Sequence, residues 1–213
     1  MDPSTSVAAR LAALSLDGKG RLTSQLLASA AVRAGLLVDL ALARRLRLTA
    51  DSIELDARPV GLQAADRLLL AMDAEPERTL DSWLDERRID LGQVADSLAE
   101  AGAWTRHRTL LGLRYRVGHP AQRTSDLQLD VESDDPPADV ATAAVAVLAA
   151  VAGLVGEART ASPRMARPAI PPAALAATGA QEWIVRAAAD HLDTIRAGFA
   201  AWPHSTGAGG PYG

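Results

Sequence analysis

The chain has 213 residues, 48% hydrophobic and 23% charged, with a formal net charge of −4. That length buries a substantial core in one domain or two small ones, and the acidic balance argues against binding nucleic acid by bulk charge. Cysteine is absent, which excludes a disulfide framework, a thiolate nucleophile and a thiolate metal site. Aromatic residues make up only 3%, so the core must be built from Leu, Ala and Val. Lys19 is the sole lysine among 22 basic residues, and the heavy use of Ala, Arg, Leu, Gly and Val points to a GC-rich, bacterial genome. The start, MDPSTS, lacks the charged n-region of a signal peptide, so the expected location is the cytoplasm.

Residues 7–16 read as a short apolar helix stopped by Asp17-Gly18-Lys19-Gly20, a strong turn signal. The stretch 32–48, VRAGLLVDLALARRLRL, is the most informative part of the chain. Its apolar run predicts a helix over 32–45 that is buried on nearly all sides, with Arg33 at its beginning, where unpaired N–H groups favour anions. Leu46-Arg47-Leu48 and Ile53-Glu54-Leu55 alternate around a four-residue connection, a hairpin pattern. A helix follows near 61–74, with Leu62, Ala65, Leu69 and Met72 on one stripe. Thr79 can cap a short helix carrying Trp83, which ends in the cluster Asp85-Glu86-Arg87-Arg88. Asp90 is the candidate N-cap of a helix over 91–101 that Gly102 stops.

Residues 103–117 alternate in a way that fits two short strands better than a helix, and His119-Pro120 ends them. The polar break 133–139 leads into an uncharged run, 140–156, short of the ~20 apolar residues that a membrane-spanning helix requires. It is read as a central core helix, 139–156. Residues 157–172 form a proline-rich basic loop. A final helix over about 181–202 carries Trp183, Ala187, His191, Ile195 and Phe199 on one face, and 203–213 is expected to be a disordered tail. The expectation is one domain over 7–202.

No phosphate-binding Gly-Lys-Ser/Thr loop, HExxH helix or GxSxG elbow is present. His107, His119, His191 and His204 are scattered without metal-ligand spacing. The reading is therefore of a binding protein with no catalytic residue, no cofactor and no metal.

The order of elements carries a resemblance. A short helix ends in DGKGRL; then come VRAGLLVDLALARRLRL, a small hairpin, ARPVGLQAADRLLLAM, a Trp-bearing helix, QVADSLAEAGAW, TLLGLRYRVGHP and an Ala-rich helix. This resembles the Golgi phosphoprotein three family of phosphatidylinositol-4-phosphate effectors, whose domain is also widespread in actinobacteria, over roughly residues 7–200. The resemblance implies a mainly α fold: a hydrophobic central helix bundle wrapped by amphipathic helices, with short β-hairpins. It also implies a basic headgroup pocket made, in eukaryotic members, by a tryptophan, the arginine of the R-x-G helix and two arginines a helical turn apart. Carried over residue by residue, Arg33 is the R-x-G arginine and the tryptophan position falls on Ser24. One paired arginine falls on Arg88 and the other on Leu91, with Arg87 available to compensate. The family's hydrophobic membrane loop, sought before the paired arginines, is missing there.

Three functions compete. The first is a peripheral membrane adaptor at the inner membrane face, reading an anionic, phosphoinositide-type headgroup through Arg33, Arg87, Arg88 and Ser24. The second is a small-molecule binder or enzyme reusing that pocket, since Ser24 leaves space where the family has a bulky ring. The third is a winged-helix-like nucleic-acid binder using the helix 91–101 and the basic strand pair with Arg106, His107, Arg108, Arg114 and Arg116. It is disfavoured because that helix carries Asp96 and Glu100 and only Gln93 among base-reading residues. The family's oligomer interface lies in a longer hairpin than 46–55 provides.

Overall fold

The computed structural model describes residues 2–3, 5–23, 26–49, 52–110, 112–118, 124–132, 135–155 and 170–201. The order of elements is α1 (Val7–Leu14), α2 (Leu26–Leu42), β1 (Leu46–Leu48), β2 (Ile53–Leu55), α3 (Gln63–Ala74), α4 (Leu80–Leu84), α5 (Leu91–Glu100), β3 (Trp104–Thr109) and β4 (Gly112–Val117). Then come α6 (Thr124–Glu132), α7 (Val140–Ala152), α8 (Pro172–Ala177), a 3-10 turn (Gly179–Gln181) and α9 (Glu182–Ala201). The fold is mainly helical, and the strands form two separate antiparallel hairpins.

Helices α2 and α7 are the centre, as their composition dictates. Both are apolar on all sides, bury almost every side chain, and pack against each other and against α9. Asp139 caps α7, accepting from the Thr142 N–H at 2.6 Å, and Gly153 ends it in the left-handed conformation. Helix α1 lies on α2 closely enough that a β-carbon on Gly35 would sit 3.0 Å from the Ala8 backbone. The turn at 17–20 folds back on β4: the Tyr115 N–H donates to the Gly20 carbonyl at 2.7 Å, and only glycine fits that approach with φ at +74°.

Several expectations change. The buried helix begins at Leu26, not residue 32, because the Leu-Leu-Ala-Ser-Ala-Ala run before it is itself a good helix former. Arg33 therefore lies two turns inside α2 and not at its mouth. On α9 the fully buried stripe is Ile184, Val185, Ala188, Ala189 and Leu192, while Trp183, Ala187, His191 and Ile195 lie half-buried along its edge. Helices α6 and α8 were not read from the sequence; Pro172, assigned to the basic loop, instead starts α8 at the position where proline is best tolerated. The rest of that loop, 157–169, and the tail 203–213 lie outside the described residues.

Candidate functional site

Capping chemistry fixes the segment between α4 and α5. Thr79 caps α4 through the Ser82 N–H, and Asp90 with Gln93 forms a reciprocal capping box on α5. The loop 85–90 between them rests on Arg33. That side chain is 3% exposed, and its Nε donates to the Leu84 carbonyl at 2.7 Å while Nη1 donates to the Ile89 carbonyl at 3.0 Å. Leu84 ends α4 and Ile89 precedes the cap of α5, so one guanidinium braces both ends of the loop. Burial lowers the Arg33 pKa, opposed by the carboxylates of Asp85, Glu86 and Asp90. An arginine retains its proton even so.

On the outer side of the same loop lies Glu86, 7% exposed. Its carboxylate accepts from the Arg88 N–H at 3.0 Å, from Arg88 Nε and Nη2 at 2.9 Å each, and from Arg78 Nη1 at 2.9 Å. Arg88 is the main cause holding the Glu86 carboxyl down at about 2, and Glu86 in turn raises Arg88. Arg78 stacks over Trp83 at 3.8 Å. The Arg88 side chain is 70% exposed and lines a 180 Å³ pocket with Arg67, Gln93, Glu86 and Ile89. Arg33 is not among the lining residues.

The candidate residues are thus distributed unevenly. Arg33 and Arg88 meet at one loop, the first beneath it and the second on its surface, and their guanidinium groups do not open onto one cavity. Arg87 is exposed. Leu91 is 3% exposed and faces the core, so an arginine there would have to be buried. Ser24 lies outside the described residues.

A second feature lies at the hairpin β3–β4. Its base is packed: Trp104 and Tyr115 are buried with ring centroids 6.1 Å apart, and Asp96 of α5 accepts from the Tyr115 hydroxyl and from Arg106 Nη1, both at 2.8 Å. Burial, then Asp96, pushes the Tyr115 hydroxyl up to about 12. The distal half leaves the body of the protein. Leu110 at the turn is 106% exposed, and Leu113 and Arg108 beside it are also exposed, as is Arg116 nearer the base. Cross-strand register puts Arg108 beside Leu113 on one face, with His107 beside Arg114 and Thr105 beside Arg116 on the other. Because β3 reverses after Gly102 and Arg106 bonds back to Asp96, the hairpin runs back along α5. Tyr115, near the base, also feels the charge of Asp90 at the start of α5.

Helix α5 itself buries Leu91, Val94, Ala95 and Leu98 against α1, α2 and β3. It is a packed support rather than a projecting recognition helix. Among the described residues no group of acidic or histidine side chains could hold a metal ion, and no helix is long and apolar enough to cross a membrane.

A helix pair buried on all sides, a capped loop carrying arginines and a basic hairpin define a mainly helical domain of one family. The chain belongs to the Golgi phosphoprotein 3 (GPP34) family, whose model matches residues 7–195. No curated protein matches it.

Sequence reasoning missed two features here. Glu86 was named only as part of the cluster ending the Trp83 helix, although an acid followed directly by Arg87 and Arg88 was the available signal. Leu110 was overlooked because an apolar tip was sought before Arg88, whereas it follows α5; Leu110-Leu111 between basic strands was that signal.

Proposed function

We propose that this protein is a peripheral membrane adaptor that docks reversibly on anionic bilayers and holds an anionic, phosphoinositide-type headgroup in a pared-down version of its family's pocket. The observation that carries the reading is Leu110, fully exposed at the tip of a basic hairpin. An isolated soluble surface gains nothing from such a residue, while a bilayer buries it at about 1.5–3 kcal/mol. Each arginine beside an anionic surface adds about 1 kcal/mol, and Arg108, paired with Leu113, lies next to the tip. The sum, about 2.5–4 kcal/mol, corresponds to weak, reversible association in the millimolar range. The attachment of the hairpin base to α5, whose start adjoins the 85–90 loop, supports one membrane-facing side. There Arg87 and Arg88 supply charge, and Arg33 holds the loop that presents them.

Glu86 moderates this site. With Arg88 occupied by an internal carboxylate, attraction to phosphate is generic and not shaped to one headgroup. The expected behaviour is salt-sensitive binding with little preference for phosphatidylinositol-4-phosphate over other anionic lipids. Co-sedimentation with liposomes of matched charge and different headgroups tests it; tight, salt-resistant binding selective for phosphatidylinositol-4-phosphate contradicts it.

A further inference from the structure

We propose a second, separate anion site between the start of the first hairpin and the start of α9, built by Arg44, Arg47 and Trp183 for a phosphate monoester carrying an apolar or aromatic body. A cavity of 530 Å³ lies there, with Ala41 and Leu46 at its floor, Leu48 at its rim, and Gln181 and Trp183 along its wall. That volume suits a small organic ligand. Arg44 and Arg47 are both exposed, and neither side chain makes a hydrogen bond or ion pair with the described residues. Nearby Arg45 and Arg58 differ: both are tied to Asp56. Two arginines with no partner among the described residues therefore line the cavity, and no carboxylate does. Planar forks of this kind match phosphate oxygens bidentately.

Arg44 adds an independent observation. It is the sole non-glycine residue with positive φ, +58°, among the described residues. It closes α2: its N–H donates to the Ala41 carbonyl at 3.0 Å, and the Arg45 N–H reaches the Leu40 carbonyl at 2.8 Å. That ending ordinarily takes glycine, because a β-carbon is penalised in the left-handed region. Here a long cation stands in the glycine position at the edge of a cavity. Strain kept at a place where glycine would relieve it marks a side chain with a use. Trp183, half-buried, supplies an apolar face on which the body of the ligand can lie. The site shares no residue with the 85–90 loop or the β3–β4 hairpin, so it stands or falls independently of membrane docking.

The test is calorimetric titration of the full chain with phenyl phosphate and with inorganic phosphate, alongside thermal unfolding. The wild type should bind phenyl phosphate saturably and more tightly than inorganic phosphate. Arg44→Gly should raise the melting temperature yet weaken phenyl phosphate at least tenfold, equivalent to about 1.4 kcal/mol. Arg47→Gln should weaken it similarly without the thermal gain, and Trp183→Leu should abolish the preference over inorganic phosphate. Vesicles containing phosphatidic acid, offered to a Leu110→Asp background, separate a lipid source from a soluble one: retention that is lost on adding Arg44→Gly assigns the phosphate to a lipid, and no retention with intact phenyl phosphate binding assigns it to a soluble metabolite. Unchanged affinity in Arg44→Gly and Arg47→Gln, or binding of neither phenyl phosphate nor the vesicles, overturns the proposal.

Discussion

Arg33 of α2 donates to the main-chain carbonyl of Leu84 at 2.7 Å across a sequence separation of 51 residues, joining the most buried helix to the last turn of α4. With the second bond to Ile89, this makes the buried cation the support of the 85–90 loop. A residue carried over by resemblance as a headgroup contact is thereby committed to protein carbonyls.

Replacing Arg33 should therefore cost stability before it costs binding. Arg33→Met removes both donors and leaves two carbonyls without partners, a loss of about 3 kcal/mol or more. Arg33→Lys, with a single ammonium, should recover part of it. Urea unfolding measures both; a melting curve unchanged in Arg33→Met would show that the loop does not depend on this brace.

Glu86 should restrain the surface charge of the loop. Its folded pKa of about 2 lies below the ordinary glutamate value, so its contribution is fully present above pH 4.5 and is lost as pH falls toward 2. Glu86→Gln should flatten that acid limb and release Arg88 and Arg78 from their carboxylate. Binding to anionic vesicles should then rise several-fold while the folded state weakens. Equal vesicle binding in wild type and Glu86→Gln would mean that Arg88 does not face the membrane.

Asp39 predicts the opposite pH slope. It is buried in α2 and accepts from the Val7 and Ala8 N–H groups at 2.8 and 3.0 Å, capping α1 from a neighbouring helix. Burial raises its pKa to about 7, against those hydrogen bonds. The folded chain thus holds the proton where the unfolded chain has released it. Its contribution is greatest below about pH 4 and declines as pH rises through 7, by about 3–4 kcal/mol across the window. Asp39→Asn should flatten this decline, because the neutral amide, like the protonated carboxyl, does not titrate. Chemical denaturation at pH 5 and 8 for both proteins decides it; the same slope in Asp39→Asn would assign the decline to other groups.

Much of the fold was legible because local signals agreed with global ones. Asp90 with Gln93, Thr79, Asp139 and the 17–20 turn each mark a boundary by chemistry that needs no tertiary context. The site was less legible because its main contacts are long-range. Nothing around Arg33 in sequence announces carbonyls 51 and 56 residues away, and nothing around Asp39 announces the start of α1. The family resemblance assigned Leu91 to the pocket, but only packing reveals that it faces the core. The α9 stripe failed for a related reason: an i, i+4 ladder locates a face only to within its edge when small alanines fill the adjoining positions.

The most direct test of membrane docking is co-sedimentation of wild type and Leu110→Asp with anionic and neutral liposomes at low and physiological salt. Leu110 touches nothing that the fold needs, so Leu110→Asp should keep the wild-type melting temperature within about 1–2 °C. The wild type should pellet with anionic vesicles at low salt and lose much of that binding at higher salt. Leu110→Asp should lose at least tenfold in affinity, from removal of the apolar contact and addition of a repelled charge. Equal sedimentation of the two proteins, or wild-type protein left in the supernatant with every anionic vesicle, would contradict the account.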